Sequence, residues 1–270
     1  MIDAELRTMI DEVLISPAEL FGSPVAPARL QRHVKDLMLA PTASLFDLSA
    51  LTDRAERLVK AALIAGAETA DAVAVRSSSL AIEVRDGATE ETESAEGDDL
   101  GLRVLIGRRQ AVVSTNDLSS DAIVGLAERA VAMARAAPED KYAGLADESL
   151  LAHKFPDLDL LDSAMPTVKK LETMANEAEA AGLAVKGVSK SGGASASAGI
   201  GGLVLVTSHG FRGAYLGSRH GLSMTAIAGD GTGMERDYDY SSALHAADLE
   251  SPEKIGRTAG IRAVERINSR

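Results

Sequence analysis

Asp71-Ala-Val-Ala-Val-Arg-Ser-Ser-Ser-Leu-Ala-Ile-Glu-Val-Arg-Asp-Gly87 holds two short runs with a period of two. Val73 and Val75 alternate with Ala72, Ala74 and Arg76; Leu80, Ile82 and Val84 alternate with Ala81, Glu83 and Arg85. Such alternation sends successive side chains to opposite faces, which is the pattern of a half-buried strand. Asp86-Gly87 is the dipeptide favoured in two-residue hairpin turns. Ser77-Ser78-Ser79 reads as a turn between the two runs rather than as a cluster of nucleophiles. Beyond the hairpin, a strand over about 88–96 is polar on both faces and leads through Gly97-Asp98-Asp99 into Leu102, Val104 and Ile106. Gly107-Arg108 marks another turn before Ala111-Val112-Val113. The sum predicts an antiparallel meander of about four or five strands.

Helical periodicity brackets this meander. Leu51, Ala55, Leu58, Val59, Ala62 and Leu63 recur on one helical face, with Gly66 as a stop. Ser119-Ser120-Asp121 caps a second helix, with Ile123, Leu126, Ala127, Ala130, Val131 and Ala134 inward and Pro138 at its end. Helix, meander, helix predicts an α+β fold in which helices cover an antiparallel sheet. A loop-rich connector with Pro138, Pro156 and Pro166 places a domain boundary near 155. A second, mostly-β domain with flanking helices is expected over 156–270. It has a helix over about 166–181 ended by Gly182, and β segments at 185–198, 202–208, 211–228 and 234–240. A last helix opens at Ser251-Pro252-Glu253 and runs to about Ile267. Residues 1–44 hold four of the eight prolines and only short apolar pieces, so they read as a poorly packed extension before a first domain at 45–155.

The chain has 270 residues and a net charge of −12, so a nucleic-acid phosphate backbone finds no basic surface to match it. It has no cysteine, which removes disulfides, thiolate zinc sites and cysteine nucleophiles together. No apolar run reaches the ~18 residues of a membrane span, and Met-Ile-Asp-Ala-Glu lacks the basic start of a signal peptide. A cytoplasmic protein with no membrane contact is the expectation. Aromatic residues make up 3% of the chain and are absent from 47 to 141, so the core must be aliphatic.

A search for chemistry finds no catalytic or metal constellation. The histidines are His33, His153, His209, His220 and His245, and none is followed by Glu, which excludes a His-Glu-x-x-His helix. His209 and His220 on neighbouring strands could form a two-histidine pair, against the simpler reading of structural histidines. No Gly-x-Ser-x-Gly elbow is present. The glycine-rich run from Ser191 to Gly202 lacks the Gly-Lys-Ser/Thr ending of a phosphate loop and fits a strand closely approached by another backbone. Residues 83–99 carry eight acidic groups and one arginine without the spacing of a calcium loop, as a solvated strand guarded by charge would. The unusual stretch is Gly229-Asp-Gly-Thr-Gly-Met-Glu-Arg-Asp-Tyr-Asp-Tyr-Ser-Ser242, which concentrates charge and half of the tyrosines after a glycine turn. Met234, Glu235, Arg236, Asp237, Tyr238 and Tyr240 are the candidates for a peptide groove or subunit contact. An internally paired Arg–Asp corner is the competing reading.

Several segments resemble one family in the same order. They are Leu48-Ser-Ala-Leu-Thr-Asp-Arg-Ala-Glu-Arg-Leu-Val-Lys-Ala-Ala62, Ala74-Val-Arg-Ser-Ser-Ser-Leu80, Glu83-Val-Arg-Asp-Gly87 and Ser94-Ala-Glu-Gly-Asp-Asp-Leu-Gly-Leu-Arg-Val104. Ser191-Gly-Gly-Ala-Ser195 and Gly231-Thr-Gly-Met-Glu-Arg-Asp-Tyr-Asp-Tyr-Ser-Ser242 follow. Together they resemble the TldD/PmbA family over about 45–270, and its PmbA (TldE) branch in particular. The resemblance implies a two-subunit cytoplasmic metallopeptidase acting on unfolded or extended peptides. In it a TldD-like partner carries the zinc on a His-Glu-x-x-x-His helix with a distant cysteine. A PmbA-like chain lacks those ligands, so zinc is expected in the partner and no cofactor in this chain. The sequence departs from the family by its first ~44 residues and by ending where the family's C-terminal domain would begin, which reads as a fragment. The alternative reading is a protein-binding regulatory module, gyrase-modulator-like, with no protease role. A stand-alone hydrolase has no residues to support it.

Overall fold

The computed structural model describes residues 46–152, 154–162 and 164–267. The extension expected over 1–44 lies outside the described residues, as do His33 and His153. In chain order the elements are α1 (Leu48–Ala65), β1 (Thr69–Arg85), β2 (Ala88–Ile106), β3 (Arg109–Thr115) and α2 (Ser120–Ala136). Then come α3 (Val168–Leu183), β4 (Val188–Thr207), β5 (Arg212–Ala228), β6 (Glu235–Ala243) and α4 (Pro252–Arg266). The six strands form one antiparallel sheet in the order β3-β2-β1-β4-β5-β6. The boundary expected near 155 falls in the connector, and the two halves contribute three strands each to this sheet. They meet where β1 lies beside β4, from Asp71 opposite Thr207 to Val84 opposite Ala194.

Two long strands and the short β3 replace the expected four or five before residue 116. Ser77-Ser78-Ser79 is not a turn: Ser78 faces Glu96 on one side and Ile200 on the other, so the ladder runs straight through it. Gly97-Asp98-Asp99 likewise stays in β2. The alternation breaks here because two separate helix pairs cover the sheet. α1 and α2 seal one apolar patch over Ala70, Ala72, Ala74, Leu100, Leu102, Val104, Val204 and Val206. α3 and α4 lie over the other, where Leu80, Ile82, Ala196, Leu222 and Met224 are buried. Between the patches the helix-side residues of β1 and β2 are polar: Arg76, Ser78, Glu96 and Asp98. Asp98 sits 3.5 Å from Arg54 Nη1 of α1 and 3.9 Å from Arg76 Nε of β1.

Caps place the helix ends. Asp47 accepts from Ser49 N and Ala50 N at the start of α1, and Gly66 closes it at φ 105°. Ser119 and Ser251 cap α2 and α4 as expected, with Pro252 in the first turn of α4. Gly182 does not end α3, which runs on to Leu183. A Cβ on Gly182 would lie 2.6 Å from Met224 Cε, and one on Gly256 would lie 1.9 Å from Ala178 O. These glycines let α3 and α4 touch backbone to backbone.

Glu179 is the one acidic side chain buried among the described residues, 2% exposed on α3. Its carboxylate accepts from Asp86 N at 2.9 Å, Gly87 N at 2.7 Å and the Ser191 hydroxyl. Asp86 (φ 53°) and Gly87 (φ 74°) both occupy the left-handed region that a type I′ turn requires. The helix therefore holds the hairpin tip by its own amides. Where the connector meets β5, Ser218 accepts from Asp162 N at 2.6 Å and donates to Leu244 O at 2.8 Å. Beside it His220 is 1% exposed, its Nε2 3.4 Å from Asp162 Oδ2, with neither ring nitrogen hydrogen-bonded. Burial holds the His220 pKa below its ordinary value; Asp162 pulls the other way and His245 adds to the lowering. His245 is raised, chiefly by its hydrogen bond to Asp159 O.

Two predictions follow from these contacts. Glu179→Ala leaves two turn amides without their charged acceptor, and should cost about 3 kcal/mol in urea unfolding. An unchanged midpoint would show that the clamp contributes nothing. His220 binds its proton more readily in the unfolded chain, so its contribution to stability is lost as pH falls below about 6.5. His245 works in the opposite direction. Melting temperatures between pH 8 and pH 5 should therefore fall less steeply in His220→Gln and more steeply in His245→Ala. Parallel profiles for all three proteins would refute the assignment.

Candidate functional site

The six residues singled out by sequence lie at the end of the turn after β5 and along β6, an edge strand. They do not form one cluster. Strand alternation divides them between two faces. Glu235, Asp237 and Asp239 stand opposite Ala228, Ala226 and Met224, on the helix-covered side. Asp237 Oδ2 meets Arg266 Nη1 at 2.9 Å, and Asp239 Oδ1 meets Arg262 Nη1 at 2.8 Å. The Arg266 hydrogen bond holds the Asp237 carboxyl below the usual carboxylate range. The paired Arg–Asp corner therefore exists, but its arginines come from α4. Arg236 has no ion pair among the described residues. Nothing in the local sequence marks Arg262 and Arg266 as partners, because they lie about twenty-five residues further on.

Arg236, Tyr238 and Tyr240 occupy the opposite face, and Met234, just before the strand, is also exposed. Tyr238 and Tyr240 are 57% and 65% exposed and stack with ring centroids 6.3 Å apart. Their register partners are Thr225 and Ser223 of β5. Among the described residues no α-helix packs on this face. Across it run small residues: Ser195, Ser197, Gly199 and Gly201 of β4, and Ser77 and Ser79 of β1. Close packing of the strands uses the glycines, since a Cβ on Gly199 would lie 3.1 Å from Ser78 O. Tyr215, opposite Leu203, stands on the same face and is 51% exposed. Three of the four tyrosines thus share it. Sequence reading missed Tyr215. Its alternation within β5 and the scarcity of aromatics were the available signals.

At the far end of this face the connector leaves a cavity of about 310 Å³ against the sheet. Leu145, Leu151, Leu205 and Phe211 line it, and Arg103 Nε donates to Asp71 Oδ2 at 2.9 Å on its wall. It has the size and the polarity to take one apolar side chain of a bound peptide. His209 borders this cavity, while His220 is buried on the opposite side of the sheet, so the two do not form a pair. No group of three His, Asp or Glu side chains among the described residues is placed to hold a metal ion. No described helix is long and apolar enough to cross a membrane.

Comparison with known proteins places this architecture. Residues 70–134 match the family model "PmbA/TldA metallopeptidase domain 1", and residues 161–267 match the "PmbA/TldA metallopeptidase central domain". The Metalloprotease PmbA homolog of Haemophilus influenzae is 35% identical over 211 residues, 78% of this chain and 47% of that protein. Metalloprotease PmbA of Escherichia coli O157:H7 is 33% identical over 202 residues, 74% of this chain and 45% of its own length. The chain thus spans about half the length of these relatives. Among solved structures, a protein of Bacteroides thetaiotaomicron described as a modulator of DNA gyrase superposes with a TM-score of 0.73 at 24% identity. The match covers 81% of this chain and 50% of that one. TldE from Thermococcus kodakarensis gives 0.62 at 14% identity, over 79% and 47%. These two show the shared α+β fold. From the family models and the sequence relatives together, the chain belongs to the PmbA/TldD family.

Proposed function

We propose that this chain is the substrate-holding part of a PmbA/TldE-like, non-catalytic subunit, which works with a metal-bearing TldD-like partner to cleave unfolded or extended peptides. The observation that carries the reading is the helix-free sheet face. It presents three exposed tyrosines in a chain with 3% aromatic residues, and it lies beside strands of small side chains. Exposed aromatics of this kind serve as anchors at protein and peptide interfaces. Two relatives at 33–35% identity carry the name metalloprotease, which supports the reading.

The division of labour follows from the residues. Zinc in the partner would supply an activated water and a polarised peptide carbonyl. This chain would hold the peptide extended, with Tyr238 and Tyr240 against its side chains and Arg236 toward a carboxylate. The face does not need to select a sequence, because small residues and stacked rings accept many side chains. A cytoplasmic setting fits such a substrate class.

Co-expression with a TldD-like partner from the same genome, followed by affinity purification and intact mass spectrometry, tests the assembly. The expected result is a complex that cleaves an unfolded polypeptide, whereas this chain alone does not. In that complex Tyr238→Ala with Tyr240→Ala should raise KM by about tenfold with little change in kcat, the mark of lost uniform binding. Because both rings are exposed, the fold should lose no more than about 0.5 kcal/mol for each. Failure to associate, or cleavage that proceeds equally without this chain, would overturn the proposal. Unchanged kinetics in the tyrosine variant and in Arg236→Ala would remove residues 234–240 from the binding surface.

A further inference from the structure

The two edges of the sheet are finished differently. Along β6 the outward backbone of Tyr238 is occupied: its C=O accepts from Arg262 Nη1 at 3.2 Å, and its N–H donates to Asp237 Oδ1 at 2.7 Å. Along β2 the short strand β3 pairs only with Leu100–Ile106. Among the described residues, 88–99 therefore have β1 on one side and no strand on the other. From Ala88 to Glu96 every residue is exposed.

Ladder parity fixes which groups point out. Ser208 N donates to Ala70 O, so Ala70 faces β4 and the odd-numbered residues of β1 face β2. Their partners Glu93, Ala95, Gly97 and Asp99 face β1 in turn. Thr92, Ser94, Glu96 and Asp98 then direct their N–H and C=O groups away from the sheet, over about 20 Å of strand. Among the described residues no hydrogen bond reaches those groups. Residues 88–99 contain no proline or lysine; their guard against pairing with their like is six carboxylates.

Charge selects what can add there. Glu90 pairs with Arg85, and Asp98 with Arg54 and Arg76. Glu91, Glu93, Glu96 and Asp99 have no ion pair among the described residues. A second copy of the strand would set carboxylate against carboxylate, which is unfavourable across a sheet. A strand with Lys or Arg at alternate positions gains cross-strand pairs as well as the backbone ladder. The neighbouring side chains are exposed and polar, without the apolar patch that a permanent subunit contact buries. Backbone pairing reinforced by charge suits a transient, unfolded substrate.

We infer that the outer edge of β2, from Thr92 to Asp98, is a docking rail that takes an extended, lysine- or arginine-bearing segment of a substrate protein as an added strand. The inference deepens the peptide-handling role proposed above and rests on it only for the fate of the peptide.

The test uses the full 270-residue chain without a partner. A fluorescent peptide of alternating Lys and Thr, about nine residues long, is titrated by anisotropy, and amide hydrogen exchange is read at saturation. The rail predicts binding, with exchange slowed at least about tenfold at Thr92, Ser94, Glu96 and Asp98. Methylating the peptide nitrogens that face β2 should weaken binding by at least about tenfold, and a Glu/Thr peptide should not bind. Ser94→Pro should weaken it equally, since a proline whose N–H site faces outward leaves the β1 ladder intact. If Ser94→Pro does not fold by circular dichroism, the N-methylated peptide decides alone. No binding, binding indifferent to N-methylation, or protection elsewhere on the chain each overturns the rail. Binding here without cleavage in any partnered complex would keep the rail and remove the peptidase reading; partnered cleavage untouched by Ser94→Pro would do the reverse.

Discussion

The ladder between β1 and β4 is the contact on which the rest of the molecule depends. It joins residues more than a hundred positions apart, from Asp71–Thr207 to Val84–Ala194. Closing so long a loop costs chain entropy, and the cost grows only slowly with length. What offsets it is burial on the helix side, where Ala70, Ala72, Ala74, Leu80 and Ile82 meet Ala196, Ala198, Val204 and Val206 beneath four helices. Without that pairing each half would be a three-stranded sheet with a raw edge. With it, the exposed edges of the sheet are β3 and the free part of β2 at one side and β6 at the other.

The single-sided helix layer has a functional consequence. Alanine is common on the covered face because helices must approach the strands closely, and glycine is placed where α3 and α4 touch. The opposite face carries the exposed tyrosines. Tyr215, Tyr238 and Tyr240 are exposed there because no helix packs over them, while the acidic residues between the β6 tyrosines are held by Arg262 and Arg266. The pairing turns one side of a strand into structure and leaves the other side available for binding.

The helices and the hairpin turn could be read from residues alone because they rest on local chemistry. Caps at Asp47, Ser119 and Ser251 satisfy orphan helix amides wherever the helix lies. Asp86-Gly87 adopts left-handed dihedrals in any context. The same locality explains the misreadings. Ser77-Ser78-Ser79 looks like a break, yet strands on both sides supply its hydrogen bonds. Gly182 looks like a helix stop, yet the crossing with α4 keeps it inside α3.

The candidate surface was legible only in part. Scarce tyrosines beside charge flagged residues 234–240, while their division between two faces came from their pairing in β6. Which face would be covered depended on α4 arriving from the far end of the chain. Periodicity, caps and turns follow from neighbours in sequence, so composition and pattern alone specify α+β, the helices and the acidic strand. Sheet order, the Glu179 clamp on the hairpin tip, the choice of arginines for Asp237 and Asp239, and the difference between a capped edge and an open one arise from non-local pairing. Such pairing is set by which surfaces can be buried together, and no local window of sequence contains that information.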